Sequence, residues 1–380
     1  MERREFLKSA AAAAGAAALA WHEAVARTSG DWRSYEIVTR VAIQNPQGVS
    51  KAWVPLPMMD ETDWHRPLGS SWSGNAAQAS ILRDGKYGAA ILYAEWSAGA
   101  NAPVIEVSSS FMARDRAVDP TRPTANAERL SASEIAFYTA ATDLIPTDGI
   151  VRETALEIVK GARSDVDKAR AIYEWVVENT FRDPKTRGCG WGDIKVMLET
   201  RNLGGKCGDL NTLFVGLARS AGVPARDVYG IRVAPSIHGY RSLGVSSADV
   251  TKAQHCRAEF FAQDVGWVPV DPADVTKVVL EEPPANLAID HPMVAAARKR
   301  LFGGWEMNWL AYNMAHDVAL PNSSGPKIPY FMYVNGETGG KALDQLEPET
   351  FRYQIRTDGV KGQSGVKGQS GVKGQSGVKS

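Results

Sequence analysis

The stretch GGKCGDLNTLFVGLARSAGVPAR, residues 204–226, decides the fold. Its apolar side chains recur at the spacing of one helix face, which predicts a helix packed in a core: Leu210, Leu213, Phe214, Leu217, Ala218 and Ala221. Gly222 and Pro224 end this helix, because neither residue continues a helix well. Gly204 and Gly205 leave the backbone free to turn just before the helix begins.

Cys207 stands at the start of this helix, on the edge of the apolar stripe. The first N–H groups of a helix lack partners within it, and the helix dipole is positive at this end. Both effects favour a thiolate, and the same N–H groups can receive an oxyanion. A lone cysteine is most often buried and inert. The glycine pair and the helix-start position favour a nucleophilic role for Cys207 instead.

A thiolate nucleophile needs an imidazole to move protons, and the imidazole needs a group that orients it. His255 opens the strand HCRAEFF, and Asp271 ends the strand in GWVPVDP, residues 266–272. A turn at 263–266 would join the two strands into an antiparallel hairpin and bring His255 and Asp271 together at one end. The sequence therefore predicts a catalytic triad of Cys207, His255 and Asp271.

These three segments, in this order and spacing, resemble the transglutaminase-like superfamily. The stretch ARAIYEWVVENTF at 169–181 also resembles the helix that precedes the core in that family, and the likeness covers about 150–280. The resemblance implies a papain-like triad on an α+β core, in which Cys207 attacks a carbonyl, His255 moves the proton and Asp271 holds the imidazole. It implies acyl transfer at the amide bonds of peptides or proteins, with no cofactor.

The rest of the chain predicts a further domain and an extension. Alternating apolar residues and turn residues predict an N-terminal antiparallel β domain at 31–118. Its strand WVPLP is similar to accessory domains in bacterial members of the family. The expected fold class is α+β, with the transglutaminase-like core at 131–280. A C-terminal β-containing extension of the core is expected at 281–357.

Both ends of the chain differ from a folded domain. Residues 1–26 begin MERREF, continue with an alanine-rich run and end in AVA, which resembles a twin-arginine export signal. We therefore expect a periplasmic or secreted protein that starts at Arg27. The run is too short to serve as a stable membrane span. Residues 358–380 repeat GVKGQS and predict a disordered basic tail, because one apolar residue per repeat cannot build a core.

Three features limit how far the resemblance carries. Cys256 follows His255 directly, where many relatives place small or aromatic residues. It could be oxidised or could pair with Cys189, which would leave Cys207 as the free thiol. The sequence does not decide which groups donate hydrogen bonds to an oxyanion. The Cys207 amide is one candidate, and the side chains of Trp191 and Asn202 are weaker ones.

Composition excludes some classes of function. The 380 residues carry 43 basic and 43 acidic side chains, so binding to nucleic acid through overall charge is not expected. Hydrolysis is favoured over cross-linking, because water is abundant outside the cell and no feature marks an amine site. The alternative is a non-catalytic binding module on the same fold. A metal-binding function is not favoured, because the sequence lacks the paired spacing of metal ligands. His316 and Asp317 make a poor alternative dyad, because adjacent residues on a strand point to opposite faces.

Overall fold

The computed structural model describes residues 32–124, 127–349 and 351–360. The export signal expected at 1–26 and the repeats from residue 361 onward lie outside the described residues. The described chain has the expected α+β architecture, in which antiparallel sheets formed largely by the N-terminal region adjoin a mixed helix and sheet core.

The described secondary structure is dominated by strands in the first third and by helices in the middle. The helices are α1 Ala132–Thr139, α2 Gly149–Ile158, α3 Asp165–Asn179, α4 Ile194–Thr200, α5 Cys207–Ser220, α6 Pro272–Glu281 and α7 Pro292–Arg300. The strands are β1 Arg33–Ala42, β2 Ser50–Pro55, β3 His65–Gly74, β4 Gln78–Arg83, β5 Ala90–Trp96, β6 Val104–Ala113, β7 Arg116–Ala117, β8 Phe181–Arg182, β9 Gly204–Gly205, β10 Ala225–Arg232, β11 Gln254–Ala262, β12 Gly266–Val270, β13 Gly304–Trp305, β14 Trp309–Asn313, β15 His316–Val318, β16 Ile328–Tyr330, β17 Asn335–Thr338, β18 Lys341–Leu343 and β19 Arg352–Thr357. In the part of the chain that the structure describes, no helix is long and apolar enough to cross a membrane.

Two antiparallel sheets build the N-terminal region. Their strand orders are β19-β1-β6-β3 and β18-β17-β2-β5-β4. Alternate residues of β1, including Tyr35, Ile37 and Val41, are buried in a shared apolar core, as the sequence pattern predicts. Strands β2 and β5 are buried on both faces, because residues 315–331 cover the second face of their sheet.

The expected extension of the core at 281–357 is divided between the two parts of the molecule. Helix α7 and strand β14 remain with the core, where β14 pairs with β10. Strands β17, β18 and β19 instead complete the N-terminal sheets. Strand β19 covers the edge of β1, with Thr39 opposite Ile355. The physical reason is that β1 and β2 would otherwise each present an unpaired edge of a buried sheet.

The core places α5 against the sheet β12-β11-β10-β14. All 14 residues of α5 are buried, because the helices α2, α3, α4 and α6 also pack around it. Helix α3 begins with a capping box, in which Ser164 and Asp167 exchange hydrogen bonds of 3.1 Å. The predicted core helix is thus the central element, and it packs on β11 and β10, the two inner strands of the sheet.

Candidate active site

Cys207 is the first residue of α5 and is 4% exposed. The carboxylate of Asp209 accepts hydrogen bonds from the amides of Lys206 and Gly192, both at 3.0 Å. The amide of Gly208 donates to the carbonyl of Cys189 at 2.7 Å. Among the described residues, the amide of Cys207 has no hydrogen-bond partner. It is therefore the helix-start donor that remains available to an oxyanion.

The loop before α4 approaches the start of α5 closely enough to need glycine. Gly190 has φ +94°, and a Cβ atom at this position would lie 1.8 Å from Oδ2 of Asp209. A Cβ atom at Gly208 would lie 2.6 Å from the carbonyl oxygen of Cys189. The hydrogen bond from the Gly208 amide to the Cys189 carbonyl holds Cys189 beside the first turn of α5.

The hairpin of β11 and β12 joins the predicted histidine and aspartate. Antiparallel pairing of Ala258 with Val270 places His255 and Asp271 at the same end. Nε2 of His255 donates to Oδ2 of Asp271 at 2.7 Å. Cys207 and this imidazole line the same cleft, and the imidazole is among the groups that lower the pKa of the Cys207 thiol, after Cys189 and Cys256. Because Nε2 is used by Asp271, Nδ1 is the ring nitrogen left for Cys207.

Asp271 is fixed by more than its histidine. It caps the N-terminus of α6, where its Oδ1 accepts from the amide of Asp274 at 3.1 Å. Asn211, one turn after Cys207 on α5, donates to the same oxygen at 3.1 Å, and its own oxygen accepts from the amide of Ala273 at 3.2 Å. Asn211 therefore joins helix α5 directly to Asp271 and to the start of α6.

A second carboxylate, that of Asp274, lies next to His255 and Asp271. Oδ2 of Asp274 lies 3.5 Å from Nε2 of His255. Both oxygens of Asp274 accept hydrogen bonds from Arg232, at 2.6 and 2.7 Å, and both side chains are almost fully buried. Burial opposes the ionisation of Asp274, but Arg232, together with His255 and Lys277, outweighs burial and holds the pKa of Asp274 well below its usual value.

The electrostatics favour a thiolate beside an imidazolium. Burial and Arg232 lower the pKa of His255, but Asp274 and Asp271 together outweigh them and leave it raised. The pKa of Cys207 is lowered well below its usual value by hydrogen bonds from the thiols of Cys189 and Cys256, against burial, and further by His255. A thiolate and imidazolium pair is the protonation state of an activated cysteine nucleophile.

The three cysteines are free thiols, and all three are buried. The idea that Cys189 pairs with Cys256 is not seen in this structure, because both are free thiols. Burial and the neighbouring Cys207 raise the pKa values of both. Cys207 is thus the one of the three thiols whose pKa is lowered.

The weaker oxyanion candidates lie elsewhere. The side chain of Trp191 is exposed at 68% and, with Asn202, lines a separate surface depression next to α4. Neither residue lines the cleft of about 450 Å³ onto which Cys207 and His255 open. Asn202 instead accepts a hydrogen bond of 3.4 Å from the amide of Gly204. The geometry leaves the Cys207 amide as the candidate from the sequence that is correctly placed.

The cleft is lined by many more cations than anions. The basic side chains on its wall are Arg182, Arg187, Lys206, Arg232, Lys252 and Lys277. Glu347 is the one carboxylate among the described residues that line it. Residues from the C-terminal segment, including Gln345 and Tyr353, also line the cleft.

The cluster of His255, Asp271 and Asp274 also has the residue types of a metal site, with one ligand atom of each within 4.8 Å of the others. Its atoms are already engaged, however: Arg232 binds both oxygens of Asp274, and the oxygens of Asp271 accept from His255, Asn211 and Asp274. A cation there would also face two buried guanidiniums, Arg232 and Arg257. The donor set fits a triad better than a metal ion.

The pair His316 and Asp317 does not form a dyad. Nε2 of His316 lies 3.3 Å from Asp227, and Asp317 accepts from the amide of Asp143. Sequence reasoning missed Asn211 and Arg232 in the site. Asn211 could have been found, because it lies four residues after Cys207 and so on the same face of α5. Arg232 carried no local signal, because its pairing with Asp274 joins distant segments.

Comparison with known proteins agrees with this geometry. Residues 152–272 match the family model of the transglutaminase-like superfamily, a range that contains Cys207, His255 and Asp271. An uncharacterized protein of Haemophilus influenzae is 36% identical over 336 residues, which cover 84% of this chain and 88% of that protein.

Two solved structures were also compared with the chain. A candidate cysteine protease from Cytophaga hutchinsonii gives a TM-score of 0.47 at 13% identity, covering 86% of this chain and 98% of that one. The periplasmic domain of TgpA from Pseudomonas aeruginosa gives 0.32 at 12% identity, covering 72% and 94%. Residues 152–272 of this chain therefore form a transglutaminase-like core domain.

Proposed function

We propose that this protein is a secreted cysteine enzyme that hydrolyses amide bonds of peptides or proteins. The observation that carries the proposal is the 2.7 Å bond between His255 and Asp271 beside a cysteine at a helix start. In the first step the Cys207 thiolate attacks the carbonyl carbon, and the Cys207 amide receives the oxyanion. His255 then protonates the leaving amine, which gives a thioester. Water, deprotonated by His255, releases the carboxylate and restores the thiol.

Hydrolysis is favoured over transfer to an amine by the charge of the cleft. A lysine side chain acting as acceptor would arrive as an ammonium ion, and the cations that line the cleft, such as Lys206 and Lys252, would repel it. Water is uncharged, so these lysines do not repel it. The binding-module alternative needs no activated thiol, so it gives no account of the lowered pKa of Cys207.

The test is incubation of the mature protein with a mixed peptide library in H₂¹⁸O. Hydrolysis places ¹⁸O in new C-terminal carboxylates, whereas cross-linking incorporates an added fluorescent primary amine. We expect ¹⁸O incorporation that is lost in Cys207→Ala and His255→Ala and kept in His238→Ala, an exchange in a partly exposed histidine outside the cleft. Amine incorporation without ¹⁸O would favour transamidation, and neither product would favour the binding module.

Export belongs to the same proposal. The paired Arg3 and Arg4 and the Ala24-Val25-Ala26 segment support cleavage by a signal peptidase. Mature protein recovered from cells should begin at Arg27 in N-terminal sequencing. Folded protein that retains Met1, unaffected by Arg3→Lys with Arg4→Lys, would argue against secretion.

A further inference from the structure

We propose that the substrate of this cleft is an extended peptide that carries anionic groups beside the scissile amide. This inference rests on the proposed function and deepens it by naming the substrate class. It follows from three properties of the cleft: the excess of cations on its wall, the lack of carboxylate partners for two of them, and its continuation into a second hollow.

The cations of the cleft are only partly neutralised. Arg232 pairs with Asp274, Arg187 pairs with Asp344 and Glu347, and Arg182 and Lys277 share one carboxylate, Glu281. Lys206 and Lys252 have no carboxylate within 4.0 Å in the described part of the chain. Nζ of Lys206 donates instead to the carbonyl of Thr186 at 2.7 Å.

The position of these two lysines makes their charge relevant to substrate. Lys206 is adjacent to Cys207, and Lys252 is exposed three residues before His255. The thiolate and imidazolium cancel each other, so the catalytic pair does not neutralise the lysines. A substrate with carboxylates on either side of the reacting carbonyl would supply the missing charge.

The cleft is also longer than a single amide requires. A second hollow of about 830 Å³ shares Thr251, Lys252, Pro348 and Tyr353 with the catalytic cleft. Its wall adds Arg40 and Arg352, together with the carboxylates Asp249 and Glu349. Lys252 thus borders both hollows, and a chain that extends from Cys207 into the second hollow would pass it.

Alkylation of Cys207 measures the charge of the cleft without a known substrate. The probes are iodoacetate, an anion, and iodoacetamide, its neutral analogue, with each rate divided by the rate for 2-mercaptoethanol. We expect iodoacetate to be favoured on the order of tenfold at low salt, and the preference to fall towards one in high salt. Lys252→Gln and Lys206→Gln should each lower the preference at least twofold. Lys341→Gln, an exposed lysine outside both hollows, should leave it unchanged.

Peptide protection tests the extended part of the inference. Hexaglutamate should slow the alkylation of Cys207 by iodoacetamide, diglutamate should do so less, and hexalysine should not. Lys252→Gln, whose side chain is exposed and should not disturb folding, should weaken the protection by hexaglutamate.

The two proposals fail in different ways. Rapid alkylation of Cys207 by iodoacetamide with no preference for iodoacetate, or equal protection by hexalysine, would overturn the anionic substrate and leave the nucleophile in place. Slow alkylation of Cys207, no faster than that of Cys256, would overturn the proposed function itself.

Discussion

His255 and Asp271 are joined at 2.7 Å through Nε2 and Oδ2, at one end of a single hairpin and almost out of contact with solvent. In that setting the carboxylate fixes the tautomer and the direction of the imidazole, and stabilises its protonated form. The hairpin is local in sequence, so the orienting half of the site forms with two strands. The nucleophile reaches it from a separate helix.

Asp271→Asn should keep the fold and lose most of the activity. Asparagine caps a helix as well as aspartate does, so α6 should retain its start. It stabilises the imidazolium less, so kcat/KM for the best library peptide should fall by a factor on the order of 10² to 10⁴. The matched control is Asp264→Asn in the exposed turn of the same hairpin. Equal losses in the two variants would mean that the effect is structural.

The pH profile of alkylation should report the thiolate and imidazolium pair. Hydrogen bonds from Cys189 and Cys256, with His255, lower the pKa of Cys207, so the rate with iodoacetamide should already be high below the pH at which an ordinary thiol reacts. His255→Ala removes a positive neighbour and should therefore move the rise of the rate to higher pH. His238→Ala should not move it. Rates measured by mass spectrometry of the Cys207 peptide that overlay for wild type and His255→Ala would contradict the pairing.

Arg232→Leu should be strongly destabilising. It leaves the buried carboxylate of Asp274 without its bidentate partner, a change that costs about 3–5 kcal/mol in comparable sites. The double variant with Asp274→Leu removes both charges and should lose less. Urea unfolding measures both, and Arg122→Leu, in an exposed pair with Asp119, should change the free energy of unfolding by less than about 1 kcal/mol. Similar small losses at both arginines would show that the buried pair is not needed for stability.

Gly190→Ala should disturb the start of α5 more than its backbone angle alone explains. Gly99 has a similar φ of +82°, but no atom lies within 4 Å of the position of its Cβ. Gly99→Ala should therefore cost about 1–2 kcal/mol from strain, whereas Gly190→Ala adds a collision with Asp209. Gly190→Ala should change both the thermal unfolding temperature and the alkylation rate of Cys207. Gly99→Ala should change only the thermal unfolding temperature. A loss no larger than that of Gly99→Ala would show that the loop can move away.

What could be predicted from sequence was local and periodic. The apolar stripe of α5, the glycines before it and the hairpin around Asp264 each lie within a short stretch, and together they place the three predicted site residues. Strand β3 carries no such signal, because it is rich in serine and glycine and mostly exposed and so shows no alternation of apolar residues. The pairing of β19 with β1 and of Arg232 with Asp274 joins segments far apart in the chain, and no local pattern encodes such contacts.

The placement of β19 sets an order of events during synthesis. A ribosome releases Cys207, His255 and Asp271 well before residues 345–357, which supply both the partner strand of β1 and one wall of the cleft. A nascent chain therefore holds every reacting group while its binding surface is still incomplete. Under the proposed function, activity therefore requires β19, which among the described strands is the last to leave the ribosome.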